Sequence, residues 1–176
     1  SKQIVMLENY PKSIDLRIRL AQQIIDEVKH QRVWSKWSQQ LGGNPRIQDI
    51  DPGPSVWDIY NISFNYDDPV VVGGSVQATG EAILTYHLSG KMDPKDSVSY
   101  ALFPPDLRAD IAENVVRDEP RHVAIGRDLI IRYADTPKIR RELLEAQRLK
   151  MKLWLPRAVE DMEMLGAKRV APLPAV

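Results

Sequence analysis

The 176-residue sequence contains no cysteine. Disulfides, thiolate metal sites, iron–sulfur clusters and cysteine nucleophiles are therefore excluded, and the composition suits a reducing compartment. Neither sign of charge is in excess, since Lys plus Arg and Asp plus Glu both number 24. Nucleic-acid recognition leaves a basic footprint, so nucleic acid is not an expected partner. No stretch nears the ~20 apolar residues of a membrane span, and Ser1-Lys2-Gln3-Ile4 does not open like a signal peptide. The expectation is a cytoplasmic protein without a membrane partner. Phosphate-binding glycine loops, dinucleotide fingerprints and Ser-His-Asp arrangements are also missing. Gly73-Gly74 alone is too short to count.

What is present reads as all-α. Ile14, Ile18, Ala21, Ile25, Val28 and Arg32 recur at spacings of three and four, so a helix is expected from Ile14 to about Leu41, with Ser13 as its N-cap. Gly42-Gly43-Asn44-Pro45 ends it. Residues 42–67 read as one long irregular loop, rich in proline, glycine and aromatic residues. A second long helix is expected from about Pro69 to Leu88, although Val70-Val71-Val72 also has strand character. Residues 91–103 read as a connection with room for a short helix. Pro104-Pro105-Asp106 opens a third long helix to about Tyr133, and Thr136-Pro137 opens the last, to about Leu165. The tail from Val170 reads as extended. Ile4, Val5 and Leu7 look like the end of an earlier helix. The chain starts at Ser1 without Met, so part of that first helix is expected upstream, and residues 1–176 are expected to form one domain.

One pattern recurs: Asp26-Glu27-Val28-Lys29-His30 and Asp118-Glu119-Pro120-Arg121-His122. Helical residues three apart share a face, so Glu27 projects with His30, and Glu119 with His122. A carboxylate able to bridge, beside an imidazole, suits iron or manganese. The preceding acids, Asp26 and Asp118, lie four residues before each histidine. At that spacing each can accept a hydrogen bond from the ring nitrogen that does not bind metal. Glu81, set in Ala78-Thr79-Gly80-Glu81-Ala82, is a charge among small and apolar neighbours, and a buried carboxylate needs a partner or a metal. Pro120 inside the second motif predicts a distortion of its helix, of the kind a π-bulge makes. His87, six residues after Glu81, is expected to be a surface or interface residue, and the apolar face of the last helix to be core or a dimer seam.

At these residues the chain resembles the ferritin-like di-iron carboxylate superfamily, a helical bundle with long antiparallel helices that uses one Glu-x-x-His from each of two helices and one Glu from each of two others. Asp-Glu-x-Arg-His is similar to the signature of bacterial multicomponent monooxygenase hydroxylase subunits. Phenylacetyl-CoA oxygenase-type subunits are a second similar group. The resemblance implies two iron ions, with manganese the alternative. It implies Glu27, His30, Glu81, Glu119 and His122 as ligands, Glu27 and Glu119 bridging, and Thr85 near the oxygen-binding face. An ordinary helix threonine bonded to a backbone carbonyl is the other reading of Thr85. It implies O2-dependent oxidation of a small organic substrate, electrons from a separate reductase, and a homo-oligomer. The alternative is a non-catalytic ferritin-like subunit with incomplete metal ligation. The pattern also wants a carboxylate from a helix before residue 14. Glu8 is too near the turn, because Glu27 lies 14 residues past Ser13, or about 21 Å along its helix. The missing group is expected upstream of Ser1, or from Glu145, Glu160 or Glu163 of the last helix.

Overall fold

The computed structural model describes residues 2–46, 49, 53–89 and 103–164, and the backbone alone at 63, 64 and 155–164. All regular structure among them is helical, and no strand occurs. Helix α1 (Lys2–Met6) runs into a 3-10 turn, Leu7–Asn9, and α2 spans Ile14–Gln40. Helix α3 spans Pro54–Phe64. Helix α4 (Pro69–Ser75) passes through a π-helical segment, Val76–Glu81, into α5 (Ala82–Leu88). Helix α6 (Pro105–Ile111) passes through a second π-helical segment, Ala112–Val116, towards α7 (Glu119–Tyr133). Helix α8 spans Pro137–Met164. No helix among the described residues is long and apolar enough to cross a membrane. The expected connection at 91–103 falls almost wholly outside the described residues, as does the tail from Val170.

Local signals account for most boundaries. Asp68 caps α4 by accepting from Val70 N at 2.8 Å, with Pro69 in the first turn. Thr136 caps α8, its Oγ1 accepting from Ile139 N at 3.2 Å. Ser13 stands at the α2 N-cap but does not cap it; its hydroxyl instead donates to the Leu7 carbonyl at 2.6 Å and ties α1 to α2. The distortion expected at Pro120 is present. Proline cannot donate to a carbonyl one turn back, and the chain answers with the π segment and a two-residue turn at 117–118 before α7 begins.

Two expectations are corrected. The stretch 42–67 is not one irregular loop, because α3 occupies its second half. Pro54 sits in the first turn of α3, and Val56, Ile59 and Ile62 recur every third residue, which turns Ile62 into a core with Val71, Leu143 and Ala146. Aromatics that look loop-like in sequence, Trp57 and Tyr60, lie on its exposed side. The second concerns α2: an amphipathic stripe ordinarily faces the core, but that of α2 faces outward, with Ile14 64%, Ile18 64%, Ile25 57% and Val28 47% exposed. The buried face carries Leu16, Leu20, Gln23, Asp26 and His30.

That reversal follows from how the helices stack. Helices α2 and α6–α7 run in opposite directions along a ladder of ion pairs: Asp15–Arg132 at 2.7 Å, Arg19–Asp128 at 2.6 Å, Lys29–Asp118 at 2.9 Å and Lys36–Asp110 at 2.7 Å. At one end Leu16 and Leu20 pack with Leu7, Val70, Ile125, Leu129 and Tyr133. At the other, Leu88, Leu107, Ile111 and Val115 pack with Val33, Trp34 and Trp37. Between these two apolar layers each of three helical stretches places acids, amides or histidines. Helix α2 must therefore bury a polar middle and leaves its isoleucines outside.

The closest approach of backbones sits at this level. Helix α7 packs on the Val76–Glu81 segment and on α4. A Cβ at Gly126 would overlap the Ala78 amide nitrogen and stand 2.7 Å from the Gly73 carbonyl oxygen. Backbone cannot move aside as a side chain can, so Gly126→Ala is expected to cost about 1–3 kcal/mol of stability. A denaturant midpoint equal to that of the parent protein would contradict this packing.

Candidate metal centre

The two motifs meet across the antiparallel pair. His30 Nδ1 lies 3.3 Å from Glu27 Oε2 and 3.6 Å from Glu119 Oε1. His122 Nδ1 lies 3.4 Å from Glu27 Oε1 and 3.2 Å from Glu119 Oε2. Each carboxylate thus reaches both imidazoles, one oxygen to each. The rings are 5.8 Å apart between centroids. Glu81 completes the cluster from the π segment: ligand atoms of Glu27, Glu81 and His122 all lie within 4.8 Å of one another. Glu119, His122 and His30 are buried, whereas the Glu27 side chain is 48% exposed and marks the open side.

Behind each histidine stands the aspartate of the other motif. His122 Nε2 is 3.3 Å from Asp26 Oδ2, and His30 Nε2 is 3.5 Å from Asp118 Oδ2, in ion-pair range without a formed hydrogen bond. The expected pairing of each aspartate with its own histidine four residues on is corrected. The antiparallel register sets residue 26 level with 122 and residue 30 level with 118, and a side chain four residues away on the same helix is out of line with the ring. The basic residue of each motif closes the arrangement. Lys29 Nζ donates to Asp26 Oδ1 and Asp118 Oδ2, both at 2.9 Å. Arg121 Nη2 donates to Asp118 Oδ1 at 2.7 Å and to Asp26 Oδ2 at 3.1 Å. Two acids and two bases form a ring spanning the helix pair.

Burial opposes ionisation of Asp26, but hydrogen bonds from Lys29, Arg121, His122 and Gln22 outweigh it and hold the carboxyl well below the usual range. Burial likewise opposes charge on the two imidazoles; Glu27 and Glu119 outweigh it, so His30 and His122 stay protonated above the ordinary histidine value. Glu81 goes the other way. Its carboxyl is pushed up to about 8, first by burial and then by the negative charges of Glu119 and Glu27. Without the protons on Glu81, His30 and His122, the five carboxylates of the site outnumber the nearby bases Lys29, Arg121 and Lys150.

That excess is what a pair of cations would relieve, and the donor set fits them. Two donors bound at about 2.1 Å to one ion at right angles stand about 3 Å apart, near the spacings found between these nitrogen and oxygen atoms. His30 with Glu27 could hold one ion, and His122 with Glu119 and Glu81 a second, with Glu27 and Glu119 able to bridge. No sixth ligand, which would be a fourth carboxylate, joins them among the described residues. Glu8 is exposed at the α1–α2 turn, and Glu145 is exposed on the outer side of α8. Glu160 and Glu163 have no described side chain.

Thr85 Oγ1 donates to the Glu81 carbonyl at 2.6 Å, one turn back on its own helix. His87 stands apart from the cluster and accepts a hydrogen bond from Trp154 Nε1 at 3.0 Å. Several neighbours had no motif to announce them. Gln23 and Gln77 are buried, each four residues before a ligand, Glu27 and Glu81, on the same helix face. That spacing was the available signal. Lys150 of α8 is buried with its Nζ where a Cβ at Gly80 would come within 2.6 Å. Burial pushes its amine down to about 8, against the pull of Glu81.

These shifts fix the sign of a pH effect. The folded protein keeps the Glu81 proton up to about pH 8, whereas the unfolded chain releases it near 4.5. Stability is therefore lost as pH rises through that window. The stabilisation from His30 and His122 is complete below the unfolded histidine value of 6.5 and is lost as pH rises through their raised folded values. The depressed acids Asp26 and Glu27 contribute their stabilisation throughout this window and lose it only as pH falls below it. The unfolding midpoint of metal-free protein should fall between about pH 5 and pH 8, and Glu81→Gln should flatten that slope. A midpoint that climbs with pH there would contradict the crowding of carboxylates. No family model matches this chain, and neither a curated protein nor a solved structure does.

Proposed function

We propose that the chain is a di-iron oxidoreductase of the ferritin-like, oxygen-activating kind. The observation that carries this reading is the double reach of Glu27 and Glu119, each with one oxygen toward His30 and the other toward His122. A single-ion site needs no such duplication. A pair of iron ions held here would supply reduction of O2 and oxidation of a small organic substrate, with manganese the alternative metal.

The chain's own residues do the rest. Glu27 and His30 hold one side of the centre, and Glu81, Glu119 and His122 the other. Asp26 fixes the His122 ring from behind through Nε2, and Asp118 stands in the same place for His30, which keeps Nδ1 of each ring aimed at the carboxylates. Lys29 and Arg121 keep both aspartates ionised. Occupation of the site requires Glu81 to release its proton, so metal uptake is coupled to proton release. The apolar layers above and below shield the site, and the half-exposed Glu27 leaves entry on its side. With no cysteine and no flavin- or dinucleotide-binding motif, electrons would come from a separate reductase.

The exposure of Glu27 and the count of five ligands favour one competing reading: a ferritin-like subunit that holds metal without oxygen chemistry. Both readings are met by one series. Purified protein supplied with ferrous iron should carry about two irons per chain, and Glu119→Ala or His122→Ala should lower that to one or none while the protein stays helical. Reduced, loaded protein that consumes O2 favours the enzyme; loaded protein that does not favours the subunit. Protein that remains metal-free under these conditions would sink both.

A further inference from the structure

Three amides, the half-buried Gln3 and the buried Gln77 and Gln23, link the N-terminal helix to the candidate metal cluster. Gln3 and Gln77 exchange hydrogen bonds reciprocally, each Nε2 donating to the other's Oε1 at 3.1 Å. Gln77 Nε2 also donates to Gln23 Oε1 at 3.2 Å, and Gln23 Nε2 donates to Glu81 Oε1 at 3.4 Å. Gln23 hydrogen-bonds the Glu27 carboxylate as well. Gly73 makes room for the outer pair, since a Cβ there would come within 3.3 Å of the Gln3 amide nitrogen. An amide has one donating and one accepting end. The ionised Glu27 carboxylate, and Glu81 once ligation has taken its proton, only accept, so they demand the NH2 end of Gln23. That choice turns the Gln23 oxygen to Gln77 and the Gln77 oxygen to Gln3. The polarity of the whole chain is thereby fixed from one end to the other.

We propose that Gln3, Gln77 and Gln23 are positioning residues that hold the Gln23 NH2 group on Glu81 and Glu27, setting the carboxylate orientation that ligation needs. Gln23 is thus a donor to ligands and not itself a ligand, because turning its oxygen to a metal would break its bond from Gln77. This inference rests on the di-metal reading. Second partners of metal ligands commonly change affinity 10–100-fold when removed.

The test is Co(II) affinity, measured by titration, in variants whose helicity and unfolding midpoint are followed in parallel. Gln77→Glu sets a carboxylate against the Gln23 oxygen, forces that amide to turn, and should weaken binding about 10-fold or more. Gln77→Met removes the bond without reversing the amide and should cost less. With Gln23→Leu already in place, Gln77→Glu should have no further effect on affinity. Equal losses for Gln77→Glu and Gln77→Met, or additive losses in the double variant, would overturn the chain while leaving the di-metal reading intact. Parent protein that binds no metal would overturn both.

Discussion

Glu27, Glu81 and Glu119 crowd three carboxyl groups around two imidazoles in a helix interior, and like charges at such separations repel strongly when water is largely excluded. The protein offsets this repulsion by several local means. A proton stays on Glu81 well above its ordinary range, protons stay on His30 and His122, and Lys150 is buried close by. Each device is a partial neutralisation. The aspartates behind the histidines would add to the repulsion, and there Lys29 and Arg121 answer them one for one.

The helices are built to tolerate this centre. Each of three stretches reads apolar, polar, apolar along its length: Leu20 to Val33 through Gln23, Asp26 and His30; Val70 to Leu84 through Gln77 and Glu81; Val115 to Ile125 through Asp118, Glu119 and His122. The apolar ends supply burial energy, and the middle holds the carboxylate–histidine cluster. π-helical segments interrupt two of these stretches at the polar level, Val76–Glu81 carrying Glu81 and Ala112–Val116 just ahead of Glu119. A π turn advances the helix face by an extra residue, which re-aims the side chains beyond it.

Much of this was legible in sequence. The Asp-Glu-x-basic-His pair names four donors, Glu81 stands out as a charge among small residues, and Pro120 foretells the break before α7. The long helices also fall close to their expected limits. The buried face of α2 was not legible, because amphipathic periodicity assumes that the apolar stripe faces inward. A helix that contributes to a buried carboxylate–histidine cluster instead turns Gln23, Asp26 and His30 to the interior. The crossing of Asp26 to His122 depends on the register between helices 95 residues apart in sequence, as the Arg121–Asp26 contact shows, and no local pattern encodes it. Helix α3 was hidden because its proline, glycine and aromatic content matches that of a loop until the three-residue spacing of Val56, Ile59 and Ile62 is noticed.

The central claim is that two bridging carboxylates serve two ions. X-ray absorption at the iron edge of the loaded protein tests it most directly. The account predicts oxygen and nitrogen neighbours only, about one imidazole per iron, and an iron–iron vector of about 3.5–4 Å. Isolated iron with no metal neighbour, or one ion bound by both imidazoles, would contradict it.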